Sequence, residues 1–196
     1  MKLVFATNNN HKLKEVKQLL PDSIEILSLK DIDCEDDIAE TGSTIPDNAF
    51  IKARYIYEKF GMNCFADDTG LEVDSLGGRP GVYSARFAGP ACRSEDNIKK
   101  LLTELKGIEN RKANFRTAIC LMIDGVATVF EGRVDGVITL DESGDKGFGY
   151  DPIFLPNGYD KTFAQMSDAE KNAISHRGVA VRKLVDYLSK LETQVL

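Results

Sequence analysis

The sequence lacks the features that mark several protein classes. It has no CxxC pair and its two histidines are not clustered, so the four cysteines do not complete a zinc site and are expected to be reduced thiols. The longest purely apolar run, Ala118–Ile123, is far shorter than the roughly 18 residues that a membrane span requires. No secretory signal is recognised, because the short apolar start runs directly into polar Asn8. We therefore expect a cytoplasmic protein without a membrane partner.

Positive charge is also scarce. Asp and Glu outnumber Lys and Arg by 31 to 25, which gives a net charge of −6. Proteins that follow a nucleic-acid backbone need many cations to neutralise its phosphates, so we expect no polymeric nucleic acid as partner. A small phosphate compound is compatible with this charge if a metal ion and a few local cations offset the repulsion. Nucleotides are therefore candidate ligands.

The organisation of the chain indicates one continuous domain over residues 1–196. No repeat, low-complexity tract or Pro/Gly/Ser-rich linker divides it, and a chain of this length can bury a substantial core. Strand and helix patterns alternate in the first part, and a long hairpin follows, marked by Asp124-Gly125 between two apolar segments. This order predicts a mixed α/β sheet flanked by helices.

The boundaries of several elements follow from local signals. A helix is predicted from about Thr44 to Gly61, with Pro46 in its first turn, where a missing N–H costs nothing. A strand is predicted at Cys64–Ala66, with an acidic pair at its end. The other predicted elements are strands at Lys2–Ala6 and Ile24–Leu27, a helix around Leu13–Leu20, a helix that Ser94 caps and Gly107 ends, a short helix with a capping box at Ser167 and Glu170, and a last helix from about Ser175 to Leu191.

A polar turn lies between the first strand and the first helix. Its sequence, Thr7-Asn8-Asn9-Asn10-His11-Lys12, offers backbone N–H groups at a helix N-terminus, neutral donors and one cation, which together suit phosphate. The turn is not a P-loop, because GxxxxGK[ST] is absent. An ordinary polar turn is an equal alternative on these grounds alone.

Two neighbouring carboxylates, Asp67 and Asp68, follow the predicted strand at Cys64–Ala66. Adjacent carboxylates repel each other, so the arrangement is reasonable if a divalent cation, or the proton of an attacking water, compensates them. Glu40 is a candidate further ligand. A solvated turn is the alternative, because Asp and Gly favour turns. A haloacid-dehalogenase site is set aside, since it needs an Asp-x-Asp pair.

A glycine-flexed aromatic loop occurs late in the chain, at residues 147–152. Phe148 and Tyr150 are able to stack on a base, while Asp151 and the downstream Arg177 are able to read its polar edge. The alternatives are ordinary packing for the aromatic residues and a surface position for His176 and Arg177.

Five ordered segments resemble the inosine triphosphate pyrophosphatase family of house-cleaning nucleotide hydrolases. They are TNNNHK, AETGSTIPDNAFIKA, FADDTGLEVDSLGGRPGVYSARFAG, GFGYDPIF and KNAISHRG, and they span nearly the whole chain. The resemblance implies a two-lobed mixed α/β fold with a central active-site cleft, a homodimer and a Mg²⁺ ion. It also implies hydrolysis of inosine and xanthosine triphosphates and their deoxy forms to the monophosphate and pyrophosphate.

The resemblance further implies roles for individual residues. Glu40 and Asp68 match metal-linked carboxylates, and Asp68 is also the expected base for the attacking water. Lys12 and Lys52 match lysines that contact phosphate and assist catalysis. The other expected substrate-binding residues are Thr7 and Asn9 in the phosphate turn, Phe148, Tyr150 and Asp151 in the base-holding loop, and Lys171, His176 and Arg177 in the purine-reading segment.

Two rival functions stay open. One is a nucleotide-binding regulator without turnover, which a missing acidic pair would favour, but Asp67 and Asp68 are present. The other is a Maf-like pyrophosphatase that acts on modified pyrimidines or other unusual nucleotides. The aromatic loop and the His176-Arg177 pair favour a purine. Among purines, Arg177 would favour inosine over adenosine, because it would donate to the 6-oxygen that inosine carries and adenosine lacks.

Overall fold

The computed structural model describes residues 1–194 and confirms the predicted mixed α/β class. Its strands are β1 (Lys2–Phe5), β2 (Glu25–Leu27), β3 (Cys64–Val73), β4 (Pro80–Gly81), β5 (Lys112–Ile123), β6 (Val126–Ile138) and β7 (Phe154–Pro156). Its helices are α1 (Asn10–Leu19), α2 (Ile45–Phe60), α3 (Ser94–Glu104), α4 (Asp168–Ile174) and α5 (His176–Gln194). None of these helices combines the length and the apolarity needed to cross a membrane.

The strands form one seven-stranded mixed sheet. Its order is β2-β1-β3-β5-β6-β7, and β4 pairs with β3. Strand β1 runs parallel to both β2 and β3, with Phe5 opposite Phe65. The Ala6 N–H also donates to the Phe65 carbonyl at 2.8 Å. This register places the chain that leaves β1 at Thr7 next to the acidic pair that follows Phe65 within β3.

The chain divides into two compact units. Unit 1 comprises Met1–Asp68, Thr117–Gly132 and Arg177–Leu196, and unit 2 comprises Thr69–Arg116 and Arg133–His176. Strands β3, β5 and β6 contribute residues to both units. The single catalytic domain over residues 1–196 stays a prediction.

The core of unit 1 lies between the sheet and helices α1 and α5. The rings of Phe5 and Phe65 are stacked with centroids 4.5 Å apart, and Val16 of α1 and Leu184 of α5 are buried with them. Helix α2 has the predicted end signals. Thr44 forms a capping box at its start, and Gly61 ends it in the left-handed conformation at φ 64°.

The core of unit 2 is rich in aromatic residues. Phe115 of β5 contacts the rings of Phe154 and Phe163, with centroid distances of 4.7 and 6.2 Å. Leu101 and Leu105, in and just after α3, are fully buried in the same cluster. Because Ile119 and Leu121 of the same strand lie in the unit 1 core, β5 supplies apolar residues to the cores of both units.

Three boundaries test the local signals directly. Asp124 and Gly125 both have positive φ angles, 49° and 81°, as a type I′ hairpin turn requires, so the predicted hairpin is confirmed. The prediction that Ser94 caps α3 is wrong, because the cap position is Arg93 and no side chain bonds there. The prediction that the third strand ends at Ala66 is also wrong, because β3 continues to Val73.

All four cysteines are free thiols, as predicted. Cys34, Cys64 and Cys120 are buried, whereas Cys92 is exposed. Burial raises the pKa of Cys64 to about 12 and the pKa of Cys120 to about 11. The thiols of Cys64 and Cys120 are therefore held in their protonated form at neutral pH.

Candidate active site

The phosphate-binding turn predicted at the end of β1 is shaped by its own side chains. Asn9 caps helix α1, and its Oδ1 accepts hydrogen bonds from the backbone N–H groups of His11 and Lys12 at 2.9 and 3.2 Å. The Thr7 hydroxyl accepts from the backbone N–H of Asn9 at 3.1 Å. These bonds fix the first turn of α1, and with it the position from which the Lys12 side chain projects.

Asp67 joins this turn to helix α5. Its Oδ1 lies 3.0 Å from Lys12 Nζ and its Oδ2 lies 3.2 Å from Arg177 Nε, and the carboxylate is fully buried. Burial alone raises the pKa of Asp67, but Lys12 and Arg177 outweigh it and hold that pKa well below its usual range. Burial lowers the pKa of Lys12 despite the attraction of Asp67. Asp67 is therefore a fixed negative charge that balances one half-buried cation, Lys12, and one buried cation, Arg177.

Arg177, expected to read the purine, is buried in unit 1 with 1% of its side chain exposed. Besides Asp67, its Nη1 binds the carboxylate of Glu15 on α1. Burial lowers the pKa of Arg177, but Asp67 and Glu15 raise it above its ordinary value. Sequence reasoning missed Glu15, although it lies three residues after Lys12, on the same helix face.

Lys52 of α2 bridges the two carboxylates predicted to hold metal. Its Nζ lies 2.7 Å from Glu40 Oε1 and 3.8 Å from Asp68 Oδ1. Burial lowers the pKa of Lys52, but Asp68 and Glu40 outweigh it and raise the pKa overall. For Asp68 the balance is opposite, because burial raises its pKa more than Lys52 and Lys12 lower it. A more basic carboxylate is a better acceptor for the proton of a water molecule.

The donor set of Glu40 and Asp68 fits a magnesium ion. Both carboxylates already face one cation, the ammonium of Lys52. Mg²⁺ is usually bound by one or two carboxylates together with water and substrate phosphates. Within residues 1–194, no group of three or more His, Cys, Asp or Glu side chains is arranged to hold a metal ion.

Asn48 is a second residue that sequence reasoning missed in unit 1. It lies one turn before Lys52 on α2 and is completely buried. Its Nδ2 donates to Asp68 Oδ2 at 3.1 Å, and its Oδ1 accepts from the backbone N–H of Gly42 at 2.8 Å. Its spacing from Lys52 was the available signal, since residues four apart share a helix face.

A second group of predicted residues comes together in unit 2. Lys171 Nζ lies 2.6 Å from Asp151 Oδ2 and 4.9 Å from the centroid of the Phe148 ring. Asp151 Oδ2 also accepts the backbone N–H of Phe148 at 2.8 Å. Gly147 has a φ of 74°, and a Cβ there would collide with the Asp151 carboxylate. Glycine is therefore required for this loop to close around Asp151.

Tyr150 and His176 are packed within the core of unit 2. The Tyr150 hydroxyl donates to the backbone carbonyl of Ser84 at 2.9 Å, and burial raises the Tyr150 pKa above its ordinary value. The His176 ring stacks on Phe115, with centroids 4.7 Å apart and ring planes 15° apart. Ser84 was missed by sequence reasoning. Its hydroxyl bridges the Leu71 N–H and the Gly81 carbonyl, so it connects Tyr150 to the sheet.

The twelve residues predicted for the site thus form two groups. Unit 1 contains Thr7, Asn9, Lys12, Glu40, Lys52, Asp68 and Arg177, and unit 2 contains Phe148, Tyr150, Asp151, Lys171 and His176. The first group is dominated by ion pairs, and the second by aromatic rings around one buried ion pair. The first arrangement can neutralise phosphate and activate water, while the second offers a flat apolar surface with polar groups beside it.

The sequence of this chain is similar to those of known proteins over nearly its whole length. The model of the Ham1 family matches residues 3–187. A dITP/XTP pyrophosphatase from Christiangramia forsetii is 56% identical over 97% of this chain and 100% of its own length. One from Flavobacterium johnsoniae is 53% identical over 96% of this chain and 98% of its own.

Solved structures agree with these sequence matches. The Staphylococcus aureus Ham1 protein has a TM-score of 0.89 at 39% identity, over 97% of this chain and 99% of that one. A HAM1 protein from Coxiella burnetii has a TM-score of 0.90 at 37% identity, with the same coverage. This chain therefore belongs to the Ham1 family.

Proposed function

We propose that this chain hydrolyses non-standard purine nucleoside triphosphates to the nucleoside monophosphate and pyrophosphate. The substrates would be the triphosphates of inosine and xanthosine and their deoxy forms, so the enzyme would keep damaged purines out of the nucleotide pool. The observation that carries the proposal is the unit 1 cluster, in which Lys52 bridges Glu40 and Asp68 while Lys12 pairs with Asp67. Relatives that cover the same length are named dITP/XTP pyrophosphatases.

The triphosphate would bind to unit 1. Lys12, on the turn that Thr7 and Asn9 shape, and Lys52 would offset the charge of the phosphate chain and of the transition state. Glu40 and Asp68 would hold Mg²⁺, which supplies further charge neutralisation at the phosphates when bound.

Asp68 would then accept a proton from the attacking water. The water oxygen forms a bond to phosphorus, the bridge between the α- and β-phosphates breaks, and pyrophosphate leaves with the bridging electron pair. The position of Asp68 beside Glu40 and Lys52, the other residues proposed to contact the metal and the phosphates, supports this role. Positioning and electrostatics suffice for such a reaction, so no covalent nucleophile is required.

The base would bind to unit 2 residues. Phe148 supplies a ring for stacking, and the Asp151–Lys171 pair beside it supplies polar groups that would meet the edge of the base. Tyr150 and His176 would support this surface from the core. Arg177 would donate to the 6-oxygen of the purine in addition to holding Asp67 and Glu15, since a guanidinium has five N–H donors.

The same proposal includes the location and the oligomeric state of the enzyme. The enzyme would act in the cytoplasm as a homodimer, with residues 1–196 as one catalytic domain and without a nucleic acid polymer or a membrane as partner. Analytical ultracentrifugation at micromolar concentration tests the dimer, since a sedimenting species of twice the 21.7 kDa chain mass is expected.

A panel of purified triphosphates, with pyrophosphate release as the readout, tests the activity. Inosine and xanthosine triphosphates should be turned over much faster than the standard nucleotides. Fastest turnover of a modified pyrimidine would favour the Maf-like alternative. Tight binding of inosine triphosphate without any pyrophosphate release would identify a regulator instead.

A further inference from the structure

The amide of Asn48 occupies a special place among the residues of unit 1. It is the fourth residue of helix α2 and is completely buried. Its two polar ends bind different segments, with Nδ2 donating to the Asp68 carboxylate at 3.1 Å and Oδ1 accepting the Gly42 N–H at 2.8 Å. One side chain therefore connects strand β3, helix α2 and the loop that carries Glu40.

The first of these bonds distinguishes the two oxygens of Asp68. Oδ2 accepts from Asn48, whereas Oδ1 lies 3.8 Å from Lys52 Nζ. The last torsion of an aspartate is broad, so a carboxylate without such a partner rotates readily between its two faces. The Asn48 amide donates from Nδ2 to one oxygen, and it therefore holds the plane of the carboxylate so that the other oxygen is directed to the place that Lys52 occupies.

The second bond fixes the loop that carries Glu40. Gly42 lies two residues after Glu40, and a Cβ on Gly42 would lie 2.7 Å from Asn48 Oδ1 and 2.6 Å from Asp47 Cβ. The loop is therefore packed against the start of α2 as closely as glycine permits. From this loop the Glu40 carboxylate reaches the Lys52 ammonium at 2.7 Å.

We propose that Asn48 is a positioning residue that sets the geometry of Glu40 and Asp68 as a pair. It orients the Asp68 carboxylate through its Nδ2 donor and anchors the Glu40 loop through its Oδ1 acceptor. Asn48 itself contacts neither metal nor water in this role. The inference rests on the proposed function, because it concerns the roles assigned to Glu40 and Asp68 there.

Asn97 provides a matched control in unit 2. It is the fourth residue of α3, as Asn48 is of α2, and it is 4% exposed. Its Oδ1 accepts the backbone N–H of Ala88 at 2.6 Å, and its Nδ2 donates to the backbone carbonyl of Ala85 at 2.8 Å. The two asparagines thus share helix position, burial and a loop anchor. They differ in that Asn48 holds a carboxylate.

The experiment compares Asn48→Ala and Asn48→Ser with Asn97→Ala and Asn97→Ser. The first readout is the affinity of nucleotide-free protein for Mn²⁺, which serves as a probe for the magnesium site. The electron paramagnetic resonance signal of free Mn²⁺ measures how much of the ion is bound. The second readout separates kcat from KM for inosine triphosphate. The third is the melting temperature. The serine variants keep a small polar group, so they provide folded protein if an alanine variant does not fold.

Both Asn48 variants should weaken Mn²⁺ binding and lower kcat by about 10- to 100-fold, the range found when residues that support metal ligands are replaced. KM should change by less than about threefold. The Asn97 variants should lose melting temperature but keep the Mn²⁺ affinity and kcat of the wild type. Asn48 variants with wild-type Mn²⁺ affinity and kcat would overturn the inference. Equal losses in the Asn97 variants would overturn it as well.

The two proposals fail in different ways. Wild-type protein that binds Mn²⁺ but does not hydrolyse inosine triphosphate would reject the proposed function, while the Asn48 comparison would still be decided by Mn²⁺ binding. If Mn²⁺ binds wild-type protein too weakly to measure, the Mg²⁺ concentration for half-maximal hydrolysis replaces it, and this concentration should rise in the Asn48 variants alone. Wild-type protein that neither binds Mn²⁺ nor hydrolyses the nucleotide would overturn both.

Discussion

The residue groups in the two units differ in the interactions that dominate them. In unit 1 the cations Lys12, Lys52 and Arg177 are neutralised by carboxylates, so the group is an array of fixed charges. In unit 2 the ion pair Asp151–Lys171 lies beside aromatic rings instead. Charges held in advance stabilise the charge that develops in a transition state, whereas a flat ring surface stabilises a bound base. Changes in unit 1 should therefore reduce kcat, and changes in unit 2 should raise KM and alter selectivity.

Removal of the metal, which unit 1 is proposed to hold, should have the largest effect on activity. With excess EDTA, hydrolysis of inosine triphosphate should fall to background, because Glu40 and Asp68 would lose the ion that they share with the phosphates. Added Mg²⁺ should restore it fully. Pyrophosphate release before and after chelation is the measurement, and turnover that persists in excess EDTA would exclude the proposed metal role.

Replacement of Asp68, the proposed general base, should have the next largest effect on activity. Asp68→Asn should lower kcat by about 10²- to 10⁴-fold, since an amide does not accept a proton from water at neutral pH. The fold should be kept, because the amide remains able to hydrogen-bond. Steady-state kinetics of purified protein with an unchanged circular dichroism spectrum provide the check. A wild-type kcat would show that Asp68 is not the base.

Arg177 tests whether the division between the units is complete, because it lies in unit 1 but is proposed to read the base. Arg177→Ala should lower kcat/KM for inosine triphosphate about ten- to hundredfold more than for adenosine triphosphate, as expected when the 6-oxygen of the bound purine loses its hydrogen-bond donor. The ratio of the two specificity constants is the quantity to measure. An equal loss for both substrates would assign Arg177 to the Asp67 and Glu15 network alone.

Phe148 tests the unit 2 side of the comparison. Loss of aromatic stacking on a base costs about 1–3 kcal/mol, so Phe148→Ala should raise KM for inosine triphosphate roughly ten- to hundredfold with little change in kcat. Phe148→Tyr keeps a ring and serves as the matched control. A fall in kcat with unchanged KM would place Phe148 outside the base site.

The smallest expected difference between the two units is in the reactivity of their cysteine thiols. Cys64 and Cys120 of unit 1 are buried with pKa values raised to about 12 and about 11, so below pH 9 their reactive thiolate forms are scarce. Exposed Cys92 of unit 2 should be alkylated first by iodoacetamide at pH 8, without loss of activity. Mass spectrometry locates the label. Labelling of Cys64 or Cys120 as fast as Cys92 in native protein would contradict their burial.

The parts of the fold that local chemistry determines could be predicted from the sequence. Thr44 and Gly61 mark helix α2 through capping interactions within a few residues, and Asp124-Gly125 determines the hairpin in the same way. The continuation of β3 through Asp67 could not be predicted locally. A buried carboxylate is tolerated in a strand only with partners, and Lys12 and Arg177 are 55 and 110 residues away in sequence.

The site shows the same limit. Family resemblance identified twelve site residues, of which all but Thr7 and Asn9 carry a charge or a ring, and the structure groups them by unit. The resemblance did not identify Glu15 or Asn48. These two residues act by binding other site residues, Arg177 and Asp68, and not through chemistry of their own. The two short strands β4 and β7 were missed for a similar reason, since pairing with longer neighbours defines them. The central cleft stays a prediction.

The most direct test of the account is a competition in one tube. Equimolar inosine and adenosine triphosphates are incubated with the wild-type protein and Mg²⁺, and ³¹P nuclear magnetic resonance follows all phosphorus species. Inosine triphosphate should disappear first, giving inosine monophosphate and pyrophosphate in equal amounts while adenosine triphosphate persists. Release of inorganic phosphate with a diphosphate, or equal consumption of both nucleotides, would contradict it.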